Sequence, residues 1–290
     1  MELIKVGERT YYIKNPTNIG IYKVSDDEVF LIDAGNDKDA GKKILKMVEA
    51  EGWRVKGIIS THSNADHIGG NNLIQERTGC PVYANGIEKS FTEFPVIEVS
   101  YLYGGYPFSD LRNKFLLAKE SKVTELNENL PAGLEYFSLK GHFFDMVGVK
   151  TDDDVYFLAD ALFSEETIEK YHVCVVYDVK EFLNTLDWLE TLDAKLYIPS
   201  HRPASESISD LIAINRSKIY EIADKIYSLC DSGNTFENIQ KGIFDHYGLV
   251  MNPVQYVLIG STLKSYLSYL YDNGKITFEF KDNIMYWKQK

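Results

Sequence analysis

One hexapeptide combines the side-chain types that bind transition-metal ions. The segment His62-Ser63-Asn64-Ala65-Asp66-His67 places two imidazoles, one carboxylate and one carboxamide within six residues. Imidazole nitrogen and carboxylate oxygen hold zinc-type ions at about 2.0–2.2 Å, and a bound ion of this kind activates water for hydrolysis. The same run of residues also suits a solvated polar loop, so the remainder of the chain decides between the two interpretations.

Three further residues of the ligand type also follow predicted strands. They are His142 after residues 134–139, Asp160 after residues 155–159 and His201 after residues 196–199, while the hexapeptide follows residues 55–60. Four of the six histidines in the chain therefore stand at strand ends, which favours one shared metal site over four unrelated residues. His172 and His246 lack such a position and are interpreted as structural.

The elements that position these side chains alternate between strands and helices. Runs rich in β-branched and aromatic residues predict strands, and these runs cover residues 19–24, 29–32, 55–60, 81–84, 134–139, 147–150, 155–159, 173–176 and 196–199. Apolar residues at helical spacing, such as Ile44, Met47 and Val48, predict amphipathic helices between them. This order, in two similar halves, predicts a layered α/β architecture.

The sequence pattern changes beyond residue 205. Apolar spacing predicts helices at residues 208–229, 236–247 and 254–271, followed by a hairpin of residues 276–280 and 284–287. We therefore divide the chain into a main domain of residues 1–205 and a helical, winged-helix-like extension of residues 206–290. The apolar stripe on the last helix is explained first by packing within the fold.

The composition excludes some classes of function. The chain has 43 acidic and 31 basic residues and a formal net charge of −12, which repels polyanions and makes nucleic acid an unfavoured partner. Cys80, Cys174 and Cys230 are widely spaced, so they predict neither a disulfide framework nor a thiolate zinc site. We recognise neither a signal peptide nor a membrane-spanning run, and we expect a cytoplasmic protein without a membrane partner.

The ordered set of ligand-type residues resembles the metallo-β-lactamase superfamily. Members of this family carry a His-x-His-x-Asp-His loop, then a lone histidine, a bridging aspartate and a last histidine, each at a strand end. The resemblance covers roughly residues 18–205 and includes the turn at Asp33-Ala34-Gly35 and the pair Gly69-Gly70 after the loop. It implies a four-layer αβ/βα sandwich with the metals between its two sheets, and the C-terminal extension is similar to a winged-helix extension of some of its hydrolases.

The resemblance also implies how the ligands divide between two ions. The first ion would be held by His62, Asn64 and His142, and the second by Asp66, His67 and His201, with Asp160 bridging. Asn64 stands where the family has its second histidine, and a neutral carboxamide oxygen is a weaker zinc ligand than imidazole. We expect one or two ions, with zinc first and iron or manganese as alternatives, and a weakened first position.

The implied function is a metal-dependent hydrolase acting on a small ester, thioester or related carbonyl substrate through a metal-activated water. Asp66 and Asp160 are the residues that would orient or deprotonate this water. Two alternatives stay open, namely a nuclease or phosphodiesterase of the same fold and a catalytically impaired protein that only binds a metal or another ligand.

Candidate substrate-binding residues lie in an aromatic insertion at residues 91–117. Tyr101, Tyr103 and Tyr106 surround Gly104-Gly105 and would contact a small-molecule substrate as a mobile lid, unless the insertion packs these rings on the sandwich instead. Arg202, next to His201, is a further candidate for an anionic substrate group. A homodimer formed through the C-terminal extension is an additional alternative.

Overall fold

The strands that lead into the predicted metal-binding residues belong to two β-sheets. The computed structural model describes residues 1–126 and 130–290. Seven strands pair in chain order in the first sheet, and they are β1 (Glu2–Lys5), β2 (Thr10–Lys14), β3 (Ile19–Lys23), β4 (Glu28–Ile32), β5 (Arg54–Ile59), β6 (Val82–Ala84) and β7 (Val123–Glu125). The second sheet consists of β8 (Leu134–Ser138), β9 (Val147–Thr151), β10 (Val155–Ala159) and β11 (Leu196–Pro199) in the order β11-β10-β9-β8. The sequence did not predict β1, β2 and β7.

The helices lie between and after these strands. They are α1 (Lys38–Ala50), α2 (Ala65–Ile68), α3 (Asn71–Thr78), α4 (Ile87–Glu93), α5 (Val96–Tyr103), α6 (Glu165–Tyr171), α7 (Val179–Leu189), α8 (Ser209–Leu229), α9 (Phe236–Tyr247) and α10 (Pro253–Asp272), with a short 3-10 helix at Ser109–Leu111. A hairpin of β12 (Ile276–Lys281) and β13 (Ile284–Gln289) follows α10. Within the described residues, no helix combines the length and the apolar character that a bilayer crossing requires.

The central strand β10 shows how the layers are built. Successive side chains of a strand point to opposite faces, and all five residues of β10 are buried. Phe157 packs between the sheets with Tyr22 and Phe30 of the first sheet, whereas Leu158 packs on the opposite face with Phe182 of α7. The outer face of the first sheet packs against α1 and α3. The order helix, sheet, sheet, helix confirms the predicted four-layer αβ/βα sandwich.

The C-terminal helices share a hydrophobic core with the second sheet. Ile212 of α8 and Leu263 of α10 belong to the same buried cluster as Phe182 of α7. The buried Asn215 of α8 accepts a hydrogen bond from the backbone N–H of Phe163 at 2.9 Å and donates to its carbonyl at 2.8 Å. The helices and the hairpin predicted after residue 205 are therefore present and packed on the sandwich. The boundary at residue 205 and the winged-helix-like character of the extension stay predictions.

The prediction of a strand at residues 173–176 is wrong. This segment crosses from α6 to α7 without strand pairing. Side chains take its backbone groups instead, since the carbonyl of Val175 accepts from the His142 ring and the N–H of Val176 donates to the Thr262 hydroxyl. Its buried valines pack in a loop rather than in a sheet. A run of apolar residues alone does not distinguish these two environments.

Candidate metal centre

The four predicted histidine ligands come together at one edge of the sandwich. His62 follows β5, His67 lies on α2, His142 follows β8 and His201 follows β11. The ring centroids are 4.0 Å apart for His62 and His67, 5.1 Å for His62 and His142, and 5.8 Å for His67 and His201. The backbone of Thr61 accepts from the N–H of Val147 at 2.9 Å, so the two sheets are joined at this edge.

The rings of His142 and His201 are held with Nε2 toward the centre. The Nδ1 of His142 donates to the carbonyl of Val175 at 2.8 Å, and the Nδ1 of His201 donates to the carbonyl of Pro16 at 2.7 Å. A carbonyl oxygen only accepts, so in the neutral ring the proton is on Nδ1 and the lone pair is on Nε2. Such outer hydrogen bonds fix the tautomer and the orientation of metal-binding histidines.

Asp33 fixes the other two rings. Its carboxylate accepts from the Nδ1 of His67 at 2.8 Å and from the backbone and hydroxyl of Thr61 at 2.8 and 2.9 Å. Because the Thr61 hydroxyl donates to Asp33, its oxygen is free to accept from the Nδ1 of His62 at 3.0 Å. The sequence placed Asp33 in a turn but gave no sign of these contacts. All four imidazoles therefore turn Nε2 inward.

Asp160 lies between these rings, as the predicted bridging position requires. One carboxylate oxygen is 3.3 Å from the Nε2 of His67, and the other is 3.2 Å from the Nε2 of His201 and 3.8 Å from the Nε2 of His142. Burial alone raises the pKa of this carboxyl, but His201 and His67, when they are protonated in the absence of a metal ion, hold it well below its usual range. Asp160 is thus a buried carboxylate surrounded by ring nitrogens.

These residues fit a divalent cation. In the described part of the chain, the Nε2 atoms of His62 and His67 and one oxygen of Asp160 are buried without a hydrogen-bond partner. An unpaired buried polar atom costs about 1–3 kcal/mol, and a lone pair facing a carboxylate is repelled by it. A cation between these atoms removes both penalties, and nitrogen with carboxylate oxygen is a donor set typical of zinc, iron or manganese.

The Asn64 carboxamide has a defined orientation. Its Nδ2 donates to the Glu98 carboxylate at 2.7 Å, which turns Oδ1 toward the Nε2 of His142 at 3.0 Å. Two ligands that each lie about 2.1 Å from one ion at a near right angle are about 3 Å apart. The Asn64 oxygen and the His142 nitrogen therefore have the separation of two ligands of one ion, with an amide oxygen where the family has imidazole nitrogen.

Two buried glutamates behind the metal loop were missed in the sequence. Glu98 also accepts from the hydroxyl of Ser63 at 2.9 Å, and Glu88 accepts from the N–H groups of Ser63 and Asp145 at 3.0 and 2.8 Å. Burial raises the pKa of Glu88 to about 8 and the pKa of Glu98 to about 7. The available signal was the single acidic residue in the apolar sequence of α5, Val96–Tyr103.

The loop before His142 is packed tightly against α7. Gly141 has a φ of 120°, and a Cβ at this position would lie 2.2 Å from the backbone nitrogen of Phe182. Its carbonyl accepts from the N–H groups of Tyr177 and Asp178 at 2.9 and 3.0 Å. Only glycine allows this approach, and the approach sets the position of the His142 ring.

A cavity of about 360 Å³ opens over the metal centre. Its floor contains Asn64, Asp66, His142, Asp160 and His201. One wall comes from α5 and the segment after it, and another from the first turns of α10. The C-terminal extension therefore forms part of the same cavity as the metal-binding residues.

The predicted substrate-binding residues lie outside the lining of this cavity. Tyr101 makes a hydrogen bond to the hydroxyl of Ser261 at 2.9 Å, and Tyr103 packs edge-on against Phe108. Tyr106 is exposed and accepts from Arg112, and Arg202 forms an ion pair with Glu165 at 3.3 Å. Their contacts support the alternative in which the insertion packs its own aromatic rings. Their role in substrate binding stays a prediction.

Comparison with known proteins identifies the family. A family model described as the metallo-β-lactamase superfamily matches residues 13–201, so the chain belongs to this superfamily. A hydroxyacylglutathione hydrolase of Rhodopseudomonas palustris is 32% identical over 135 residues, which are 45% of this chain and 43% of that protein. An exodeoxyribonuclease YycJ of Bacillus anthracis is 35% identical over 65 residues, which are 22% of this chain and 25% of that protein. The chain thus matches less than half the length of these curated relatives.

Two solved structures resemble the whole chain. A β-lactamase domain protein of Burkholderia ambifaria has a TM-score of 0.76 at 14% identity and covers 100% of this chain and 94% of its own. A metallo-β-lactamase family protein of Thermus thermophilus has a TM-score of 0.73 at 16% identity and covers 100% of this chain and 98% of its own. The shared fold therefore includes the C-terminal helices, which lie beyond the region matched by the family model.

Proposed function

We propose that the chain is a metal-dependent hydrolase that cleaves a small ester, thioester or related carbonyl compound. The observation that carries this proposal is the convergence of four imidazole Nε2 atoms around Asp160 at the floor of an open cavity. Family membership and the hydroxyacylglutathione hydrolase relative support it.

The chain offers two adjoining metal positions, as the resemblance implies. His62, Asn64 and His142 would hold one ion, and Asp66, His67 and His201 would hold the other, with Asp160 between them. The ligand atoms of Asp66, His67 and His201 lie within 4.8 Å of one another, and so do those of His62, His67 and Asp160. A divalent cation bound there polarises a substrate carbonyl and lowers the pKa of water, which is the chemistry that such hydrolysis needs. Zinc is the first candidate, and iron or manganese are alternatives.

Asp66 is the residue that we propose accepts a proton from the attacking water. Its side chain is 42% exposed, compared with 9% for Asp160, and it lines the cavity. One of its oxygens accepts from the Thr17 hydroxyl at 3.1 Å and is 3.4 Å from the Nε2 of His201. Asp66 can therefore accept a proton from water in the cavity, whereas the buried Asp160 mainly holds the rings in position.

The second candidate is a phosphodiesterase, and the match to an exodeoxyribonuclease favours it. That match covers only 65 residues, and the net charge of −12 opposes binding of a polyanion. Hydrolysis of a carbonyl compound therefore remains the leading proposal. A catalytically impaired protein is the third candidate, and it rests on the weaker ligand Asn64.

One experiment separates these three. Purified protein is assayed with p-nitrophenyl acyl esters, acyl thioesters and bis-p-nitrophenyl phosphate, before and after removal of metal by a chelator and after its return. We expect ester or thioester hydrolysis that disappears on chelation, returns with metal and falls at least about 100-fold in Asp66→Ala. His246→Ala, at an exposed histidine of α9, is the matched control and should be unchanged. Hydrolysis that survives chelation or Asp66→Ala would contradict the mechanism.

A further inference from the structure

We infer that the cavity over the metal centre receives an uncharged, apolar acyl group of the substrate, and that α10 determines this preference. The inference rests on the proposed function, because it names the class of substrate that the same site would take. It depends on the lining of the cavity beyond the metal-binding residues.

The upper part of the cavity is apolar on several sides. Its lining comes from four separate parts of the chain, and includes Leu102, Leu116, Phe143, Phe163, Leu258 and Ile259. Transfer of a methylene group from water to such surroundings is favourable by about 0.8 kcal/mol, which is about fourfold in binding. A substrate with an apolar chain therefore gains affinity with each carbon that the cavity covers.

The lining lacks a positive charge. Among residues 1–126 and 130–290, those that line the cavity include no lysine and no arginine, while three carboxyl groups, Asp66, Glu98 and Asp160, lie at its metal end. Arg202, the arginine nearest in sequence to a ligand histidine, does not line it and pairs with Glu165. A carboxylate or phosphate on the distal part of a substrate would exchange its water for uncharged donors at most, such as Gln255, Thr167 and Tyr171, and would gain no ion pair with the lining.

The volume limits the length of the acyl group. A single water molecule needs roughly 10–15 Å³ of such cavity space, so the cavity of about 360 Å³ has room for a chain of several carbons. An acyl chain of medium length fits this space together with its carbonyl group. Longer chains would extend past Phe115, which lines the cavity and is 72% exposed.

Helix α10 supplies the part of the cavity wall that is most easily mutated. Leu258 lines the cavity and is only partly buried, so it can be replaced with less cost to the core than Leu263 on the same helix, which is fully buried. An arginine at position 258 would place a positive charge in an otherwise apolar wall. Ser268→Arg puts the same charge on an exposed position of α10 outside this cavity and serves as the control.

Binding is measured with a matched pair of non-ester ligands, octanamide and suberamic acid, which differ by a terminal carboxylate. Isothermal titration of the metal-free protein, in which no metal ion can bind the carboxylate of suberamic acid, should give at least about tenfold tighter binding of octanamide, because no lysine or arginine of the cavity lining pairs with the carboxylate. Leu258→Arg should remove or reverse this difference, and Ser268→Arg should keep it. Equal or tighter binding of suberamic acid to the wild-type protein, or no binding of either ligand, would overturn the inference.

The failure of this inference differs from the failure of the proposed function. If octanamide binds selectively but no ester or thioester is hydrolysed, the cavity has the inferred preference and the proposed activity is wrong. If esters are hydrolysed but suberamic acid binds as tightly as octanamide, the activity stands and the inferred substrate class is wrong. The binding measurement alone thus decides the inference.

Discussion

The carboxamide oxygen of Asn64 and the Nε2 of His142 face each other at 3.0 Å, and both are acceptors when the His142 ring is neutral with its proton on Nδ1. Two lone pairs at this distance repel unless a positive charge lies between them. A metal ion in the predicted first position would remove this repulsion, although the carboxamide would be a weak ligand for it.

Replacing Asn64 by histidine should strengthen this position. Imidazole is a better zinc ligand than a carboxamide oxygen, so we expect the metal content of Asn64→His, after dialysis against limiting zinc, to rise from about one ion toward about two per chain. Elemental analysis of the purified protein measures it, with Asn64→Ala as the comparison in the opposite direction. Equal metal content in the wild type and Asn64→His would show that Asn64 does not limit the site.

Glu98 should support metal binding through Asn64. Glu98→Leu removes the acceptor for the Asn64 amide, so its oxygen is no longer held toward His142, and loss of such an outer contact typically weakens metal binding by roughly 10–100-fold. Glu98→Gln keeps one acceptor oxygen and should weaken binding much less.

Competition with a zinc indicator measures the affinity in both Glu98 variants. Glu93→Leu, which removes a partly exposed carboxylate paired with Lys89, is the control. If Glu98→Leu binds zinc as tightly as that control, Glu98 has no positioning role.

Asp33 should be required for both histidines of the metal loop. Each of its oxygens accepts a hydrogen bond, from the N–H of Thr61 on one side and from the His67 ring on the other. Asp33→Asn places an NH₂ group against one of these donors, so we expect a loss of roughly 10–100-fold in zinc affinity. Asp27→Asn, at an exposed aspartate paired with Arg54, should leave the affinity unchanged. The same indicator titration tests this, and unchanged affinity in Asp33→Asn would contradict it.

Glu88 should make stability depend on pH. Burial raises its pKa to about 8, so the folded protein binds this proton more tightly than the unfolded chain does. The resulting stabilisation is complete below the unfolded pKa of about 4.5 and is lost as the pH rises through about 8.

The measurement is urea unfolding of metal-free protein at pH 6, 7, 8 and 9, conditions chosen to span the pKa of about 8. The free energy of unfolding should fall by up to about 1.4 kcal/mol per pH unit, and Glu88→Gln, which cannot titrate, should show a smaller decrease. If the free energy of unfolding falls with pH equally in the two proteins, Glu88 is not the source of the pH dependence.

Asn215 should link α8 to the segment that follows Asp160. Asn215→Ala leaves the buried N–H and carbonyl of Phe163 without their partner, which should lower the free energy of unfolding by about 1–3 kcal/mol. Asn184→Ala, at an exposed asparagine of α7, should change it by less than about 0.5 kcal/mol. Chemical unfolding measures both, and similar values for the two variants would show that the Asn215 contacts contribute little.

The sequence predicted which ligand-type residues come together, because each of them follows a strand whose apolar pattern is strong. His142, Asp160 and His201 are far apart in the chain, yet strand ends at one edge of a sandwich bring them together. Glu88 and Glu98 were missed because their contacts with Ser63 and Asn64 depend on how α4 and α5 fold back over the metal loop. The lone acidic residue in the apolar sequence of α5 was a signal that Glu98 is special, but it does not say which residues Glu98 contacts.

Residues 173–176 are a case in which the sequence predicted an element that the structure lacks. Its β-branched residues satisfy the pattern of a strand, but its backbone is used by His142 and Thr262. That Leu258 lines the cavity was missed for a similar reason. A residue that lines a cavity and a residue that packs in a core have the same apolar character. Only the three-dimensional arrangement separates the two.

The wall formed by α10 lies outside residues 13–201, the region that defines family membership. Substitutions in α10 could therefore change which substrates bind without changing the side chains that would perform the reaction. Related proteins could thus differ in substrate while they keep the same metal-binding residues. For inhibitor design the same separation is useful. A compound that binds only at the proposed metal centre would depend on residues within the family region, whereas one that also reaches Leu258 would depend on α10 as well.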